Sequence, residues 1–371
     1  MKPFVPPTLP WPHIAWEPLI PSIGRANRAL AQFNGILHGL PNPAILLSPM
    51  TTQEAVLSSK IEGTQASLDD VLKFEAGDKP KEESLSDDVQ KILNYRQALN
   101  EAVPALQKRP FNLNLLKSLH ATLLAGVRGN DKARGRFRPV QNWIGRPGQS
   151  IEKASYVPPA PERVLEFMDA WEKFYHADSP DPLVQLAMVH AQFELIHPFL
   201  DGNGRLGRIL IPLFLTEKGV LEQPMFYLSA YLEKKRTIYM DRLRDLSHRP
   251  DGWTRWIEFF LQAIEEQAAA NTRTARSILA LYQTKKTQIM ELTRSPWAMA
   301  VLDQMFKQPV FSASNVPLRK KNGPSRQAYA LLLAKLKEAK ILTTVHPSSG
   351  RRAEVLAFAE LIELCKGPQM I

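Results

Sequence analysis

Apolar residues recur every three or four positions along most of this chain, the spacing of helices that bury one face. The pattern predicts helices over 25–37, 51–63, 89–106, 113–124 and 161–176, then a pair running into His197 and out from Leu206. Further helices are expected over 227–246, from 253 on to about 293, and over 296–306, 312–316 and 325–339. Thr51 and Glu54 are spaced as a capping box, with Gly63 placed to close that helix. Val164, Leu165, Met168, Trp171 and Phe174 form the stripe of 161–176, which reads as core. Three stretches break the period. Residues 1–22 are proline-rich and read as an extended arm packed through Trp11, Ile14 and Trp16, while the charged residues 76–88 read as a solvated loop. Residues 134–161 mix Gly, Pro, β-branched and aromatic residues at near-alternating positions, as in a β-hairpin with a long turn. The expected fold class is therefore mainly α.

One place crowds polar, charged and glycine residues between two apolar helical patterns: HAQFELIHPFLDGNGRLGRILIPLFL, residues 190–215. Pro198 disfavours helical geometry just before it, so the first helix should end at His197. Gly202 and Gly204 permit backbone angles that side chains forbid and let amides converge on a ligand. A helix N-terminus behind such a turn, with Arg205 and Arg208 nearby, suits a phosphate or another anion. His197 stands at the rim, and imidazole, with an ordinary pKa of ~6.5, is matched to accepting a proton at neutral pH. Asp201 beside an anion nest makes sense if a divalent cation bridges it to phosphates. The combination implies a nucleotide phosphate, a metal and a general base.

The string HPFLDGNGRLGR resembles, at each defining position, the HPFx(D/E)GNGRxxR signature of the Fic family. The resemblance implies a Fic-type helical bundle and a protein adenylyltransferase, which binds ATP with Mg²⁺ and moves AMP to a Ser, Thr or Tyr hydroxyl of a target protein. It implies that His197 deprotonates the hydroxyl and that Asp201 holds Mg²⁺. Asn203 and the Gly202 and Gly204 amides would hold the α- and β-phosphates, Arg205 would neutralise them, and Arg208 would meet the γ-phosphate. Leu206 and Gly207 complete the nucleotide-binding segment from Asp201 to Arg208.

Upstream, SSKIEG resembles the (S/T)xxxE(G/N) inhibitory helix of Fic proteins, which places Ser58 and Glu62 one turn apart on one face. The implied role of Glu62 is to pair with Arg208 and take the charge that the γ-phosphate needs. In some relatives the same glutamate supports the reverse removal of AMP. GRFR, QNWIG and YVPPAP, within a flap of about 134–160, look like the family's hairpin that docks the target by strand addition, with Val140 to Ile144 and Ala154 to Val157 as the docking residues. Ser229, Tyr231 and Tyr239 fall in register with a family pattern bordering the nucleotide base, although Met240 stands where a second tyrosine is usual.

Composition narrows the setting. With 371 residues, two or three units are expected: 1–110 with the inhibitory helix at about 51–63, a catalytic core over 111–270, a connector over 271–294 and a last unit over 295–371. A single cysteine, Cys365, excludes an intramolecular disulfide, and no long apolar run or leader pattern is present, so a cytoplasmic protein without a membrane span is expected. The net charge of +10 suits polyanions or an acidic target surface. Three helices and a two-stranded wing around 346–350 resemble a winged helix-turn-helix, whose Lys320, Lys321, Arg326, Lys335 and Arg351 could touch DNA phosphates. The implied partners are a target protein, the chain itself as target, DNA, and a second copy of the chain. A rival reading is a winged-helix regulator whose Fic-like core only senses nucleotide.

Overall fold

The computed structural model describes residues 2–126, 133–145, 148, 150–314, 323–349 and 353–366. It is mainly helical, with a small antiparallel sheet. Helices α1 (Trp16–Gly39), α2 (Pro43–Leu46), α3 (Ser48–Ile61), α4 (Leu68–Glu75), α5 (Glu83–Leu106) and α6 (Leu113–Leu123) precede the flap segment. After it come α7 (Val164–His176), α8 (Pro182–Ile196), α9 (Asn203–Glu217), α10 (Ser229–Lys234), α11 (Arg236–Asp245) and the 42-residue α12 (Gly252–Thr293). The C-terminal part holds α13 (Ala298–Lys307), α14 (Arg326–Glu338), α15 (Ala359–Lys366) and strands β1 (Val310–Ser312), β2 (Thr343–His346) and β3 (Val355–Ala357). None of the described helices is long and apolar enough to cross a membrane.

The chain divides into two compact units, the first made of residues 1–35, 57–64 and 90–270. Its centre is α8, which is apolar on almost every side and buried at every position from Leu183 to Ile196 except Glu194. Helices α7 and α9 flank it. Trp171 donates its indole N–H to the Val189 carbonyl and Trp256 to that of Ala187, each at 2.8 Å, so both large rings are buried with their one polar group satisfied. The inward stripe of α7 is Val164, Met168, Trp171, Phe174 and Tyr175, whereas Leu165 is 54% exposed: one residue past Val164 rotates it off the stripe. Trp11 stacks on Trp253 and Phe4 N–H donates to Val157 O, so the N-terminal arm is packed on this unit.

The second unit contains residues 36–56, 65–89 and 271–371. Its sheet has the order β1-β3-β2, both pairings antiparallel, with Phe311 opposite Leu356 and Thr344 also opposite Leu356. Tyr282 bonds to Asp303 and Lys285 to Glu360, tying the C-terminal half of α12 to α13 and α15. Arg326 and Lys335 are exposed on α14, while Lys320, Lys321 and Arg351 lie outside the described residues.

Several expectations change here. The extended arm stops before Trp16, because Pro18 falls in the first turn of α1, where its missing N–H costs nothing, and Pro21 gives up one bond within a long helix. Thr51 does not cap its helix; α3 begins at Ser48 and the Thr51 hydroxyl reaches back to Leu47 O. The capping box that does form is Ser67 with Asp70 at the start of α4. Residues 83–88 are not loop but the first turns of α5, with Glu83 exposed and Asp87 and Asp88 part-buried, on a helix that is apolar further on. Where a helix over 312–316 was expected, Val310–Ser312 is the buried strand β1, and 315–316 lie outside the described residues. The hairpin over 134–161 reduces, among the described residues, to one bridge, Ile144 with Tyr156, and a 3₁₀ turn at Ile151–Lys153.

Asp181 caps α8 by accepting from the amides of Leu183 and Val184, and its other oxygen accepts from Asn27. Asp181→Ala should cost about 1–2 kcal/mol, read as a lower denaturant midpoint at unchanged slope; an unchanged midpoint would show that α8 does not depend on this cap.

Candidate active site

Helix α8 stops where Pro198 cannot extend it, and His197 takes a left-handed backbone, φ 48°. Gly202 is also left-handed, φ 79°, and opens α9. Asn203 closes the loop between them: its side-chain oxygen accepts from Phe199 N–H at 2.9 Å and its amide donates to Phe199 O at 2.8 Å. Both ends of the Asn203 amide are therefore used by the loop itself. His120 stacks on Phe199 with ring centres 3.8 Å apart. Its Nδ1 accepts from Gly135 N–H, which fixes the tautomer, so Nε2–H donates to the Asp201 carbonyl at 3.0 Å. Burial holds its pKa down at about 4.

A cleft of ≈ 350 Å³ opens over this loop, lined among others by Glu62, Trp143, Tyr156, Glu194, His197, Gly204, Arg208, Tyr239 and Met240. Burial lowers the His197 pKa to about 4, against the raising influence of Glu62 and with the help of Arg138, so the imidazole is neutral at pH 7. Its Nδ1 makes no hydrogen bond of normal geometry among the described residues, although the Glu194 backbone carbonyl acts on the ring to raise its pKa.

Arg208 is the buried end of an ion pair. Nη2 lies 2.6 Å from the Glu62 carboxylate and 2.8 Å from Ser58 O, and Nε donates to Ser58 Oγ at 2.8 Å. The Arg208 side chain is 1% exposed and that of Glu62 39%, so the carboxylate has an open side and the guanidinium has none. Burial opposes the charge of Arg208, but Glu62, with Tyr239 and Glu194, outweighs it and raises its pKa. The same contact holds Glu62 low despite burial that would raise it. Gly204 makes the approach feasible, since a Cβ there would collide with the Glu62 carboxylate.

Arg205 differs. It is buried, its Nε and Nη1 have no partner among the described residues, and Asp201 stands 3.5 Å from Nη2. Two unsatisfied buried donors cost free energy that an anion would recover. Asp201 is a half-exposed carboxylate that also accepts from Gly202 N–H at 2.6 Å. Magnesium is commonly held by one or two carboxylates with phosphate and water oxygens completing its shell, so a single Asp201 fits that role; no cluster of three or more ligating side chains occurs among the described residues.

The structure brings Glu62, Ser58, His197, Gly204, Arg208 and Tyr239 together. Asp201, Gly202, Asn203 and Arg205 form the adjoining turn, Leu206 is core, and Gly207 packs under Glu194. Tyr239 bonds through its hydroxyl to His190 Nε2, whose Nδ1–H donates to Gly207 O. Tyr231 is buried against Phe259 and is not among the residues lining the cleft.

Sequence reasoning missed three participants. Glu194 lines the cleft with an unpartnered Oε1, and burial lifts its pKa to about 8. Arg138 and His120 fasten the flap and the loop. A helix ending at His-Pro leaves carbonyls without amides, which signals that donors must come from elsewhere in the chain but not which residues supply them.

Two family models match: the Fic/DOC family N-terminal region over residues 20–104 and the Fic/DOC family over 110–215. Curated relatives include the protein adenylyltransferase fic-1 of Caenorhabditis briggsae, 33% identical over 33% of this chain and 22% of that protein. Another is the protein adenylyltransferase Fic of Drosophila ananassae, 30% identical over 31% of this chain and 21% of that protein. The chain thus spans about a fifth of the length of these relatives. Among solved structures, a Fic family protein from Desulfovibrio desulfuricans shares the fold with TM-score 0.54 at 19% identity, covering 96% of this chain and 98% of that one. Fic-1 from C. elegans gives 0.51 at 18%, covering 71% and 75%.

The raised Glu194 pKa has a stability consequence. The native chain keeps a proton that the unfolded chain releases above about pH 4.5, so this contribution is complete at lower pH and is lost as pH rises towards about 8. Glu194→Gln should therefore gain stability over the parent between pH 5 and pH 8, measured by denaturation at both; a pH-independent difference would contradict the assignment.

Proposed function

Because the chain belongs to the Fic/DOC family, whose two matched segments cover about half of its length, we propose that it is a protein adenylyltransferase restrained by its own Glu62. The observation that supports this most is the pair of buried guanidiniums beside a neutral imidazole: Arg205 with two donors to spare, and Arg208 held by a carboxylate with an open side. That is a site for a polyphosphate next to a group able to take a proton.

In this reading ATP lies in the cleft with its phosphates against the start of α9. His197 takes the proton from a target hydroxyl as the oxygen attacks the α-phosphorus. The new P–O bond joins AMP to the target, and the bond from the α-phosphorus to the bridging oxygen breaks to release pyrophosphate. Arg205 and the amides opening α9 meet the charge that develops, which is the main work a protein does in phosphoryl transfer. Mg²⁺, when bound at Asp201, would neutralise phosphate charge and orient the leaving group. Arg208 serves the γ-phosphate once Glu62 has left it; until then the nucleotide sits without that contact and out of line for attack. Val140, Trp143 and Ile144, each more than 40% exposed at the edge of the site, serve as the docking strip for the target.

Glu62→Gly should transfer label from α-labelled ATP to protein, to itself or to a lysate target, at least tenfold faster than the parent. His197→Ala in that background should abolish transfer and leave ATP affinity within about threefold, since the base acts on the target. No transfer by any variant would overturn the reading.

A further inference from the structure

The last carbonyls of a helix have no amide above them, and here Pro198 removes one more N–H from the neighbourhood. Yet five consecutive carbonyls, Leu195 to Phe199, all receive donors. Tyr156 Oη donates to Leu195 O at 2.6 Å. Arg138 donates through Nη2 to Ile196 O at 3.4 Å, through Nε to His197 O at 2.9 Å, and through its backbone N–H to Pro198 O at 2.9 Å. Asn142 and Asn203 complete the set at Phe199 O. Five of these six donors come from the flap segment, so the flap is also the C-terminal cap of the catalytic helix.

Arg138 carries most of this. It is 2% exposed, it donates in addition to Pro159 O at 2.5 Å and to Val140 O at 3.4 Å, and all five of its side-chain and main-chain bonds end on backbone carbonyls. Val140 and Pro159 lie on the two arms of the flap. A guanidinium at a helix C-terminus is placed favourably with respect to the helix dipole, and its rigid fork can meet several carbonyls at once where an ammonium cannot. His197 needs such a hold, because a non-glycine residue at φ 48° occupies a sparsely populated region that its surroundings must enforce.

We infer that Arg138 is a positioning residue for the general base: by binding the carbonyls of Ile196 and His197 together with those of Val140 and Pro159, it holds His197 in its left-handed geometry and ties that geometry to the segment that docks the target. The inference rests on the reading of His197 as base. It gives the flap a second role, since any displacement of Val140 or Pro159 pulls on the carbonyl of the residue that must meet the incoming hydroxyl. Arg138 is not itself among the residues lining the cleft and reaches it through the His197 carbonyl, so its loss should act on the proton acceptor and spare ATP binding.

The test uses Arg138→Lys and Arg138→Met in the full chain, with and without Glu62→Gly. In the Glu62→Gly background, Arg138→Lys should lower kcat at least tenfold with the ATP dissociation constant within threefold. Independently of turnover, the imidazole of His197, assigned by loss of its NMR signal in His197→Gln, should broaden or double in Arg138→Lys. In Arg138→Met its titration should move up from about 4 towards the ordinary histidine value, because a neighbouring cation that lowers it is gone. A His197 signal and kcat that match the parent's would overturn the inference. So would parallel loss of kcat, ATP affinity and cooperative unfolding in both variants, which would mark Arg138 as a general structural strut. If the Glu62→Gly parent transfers nothing, the NMR arm still decides the inference while the transferase reading fails.

Discussion

Arg208 sets the terms for the rest of the site. A guanidinium that is almost completely buried must be paired, and α3 with the residue that follows it supplies three acceptors: the Ser58 hydroxyl, the Ser58 carbonyl and the Glu62 carboxylate. Two of the three belong to one serine and stay with the helix. The third reaches over from the helix end, past a position where only glycine leaves room, and faces solvent. An anion arriving from that side can replace Glu62 without leaving Arg208 bare, because Ser58 keeps its bonds. The pair is therefore exchangeable in a way that a fully enclosed ion pair is not.

The loop that carries His197 is held by a separate set of contacts. Proline ends α8, glycine opens α9, Asn203 clips the turn to Phe199, and His120 stacks beneath it while holding Asp201 O and Gly135 N–H. Arg138, Tyr156 and Asn142 close the remaining carbonyls from the flap. Nearly every polar backbone group in this corner is satisfied, and the buried side-chain groups left without partners there, among the described residues, are Arg205 Nε and Nη1, Glu194 Oε1, His197 Nδ1 and Asn142 Oδ1. Two of them are cationic donors and one is a neutral ring beside them, which is the polarity a polyphosphate and a hydroxyl would use.

Much of this was legible in the residues. The contrast between an all-round apolar α8, a glycine-rich turn and a basic start to α9 marks the site without any structure, and the spacing of Ser58 and Glu62 marks their shared face. What could not be read was long-range. Thr51 and Ser67 offer similar capping chemistry, and only packing decides that α3 begins earlier while Ser67 caps α4. Val310–Ser312 is too short for a period to show and becomes strand by pairing with Val355–Ala357. Tyr231 shares helical register with the tyrosine pattern yet turns towards Phe259, because the break between α10 and α11 at Lys235 resets the faces. Arg138 looks like one more surface arginine until the carbonyls of α8 are counted.

Whether Glu62 occupies on Arg208 the place of a third phosphate is decided by comparing ATP with ADP in calorimetric titrations of the parent and of Glu62→Gly. ADP lacks the group that competes with the carboxylate. Removing Glu62 should tighten ATP by at least tenfold and leave ADP within about threefold. Equal tightening of both nucleotides, or no change in either, would contradict that competition.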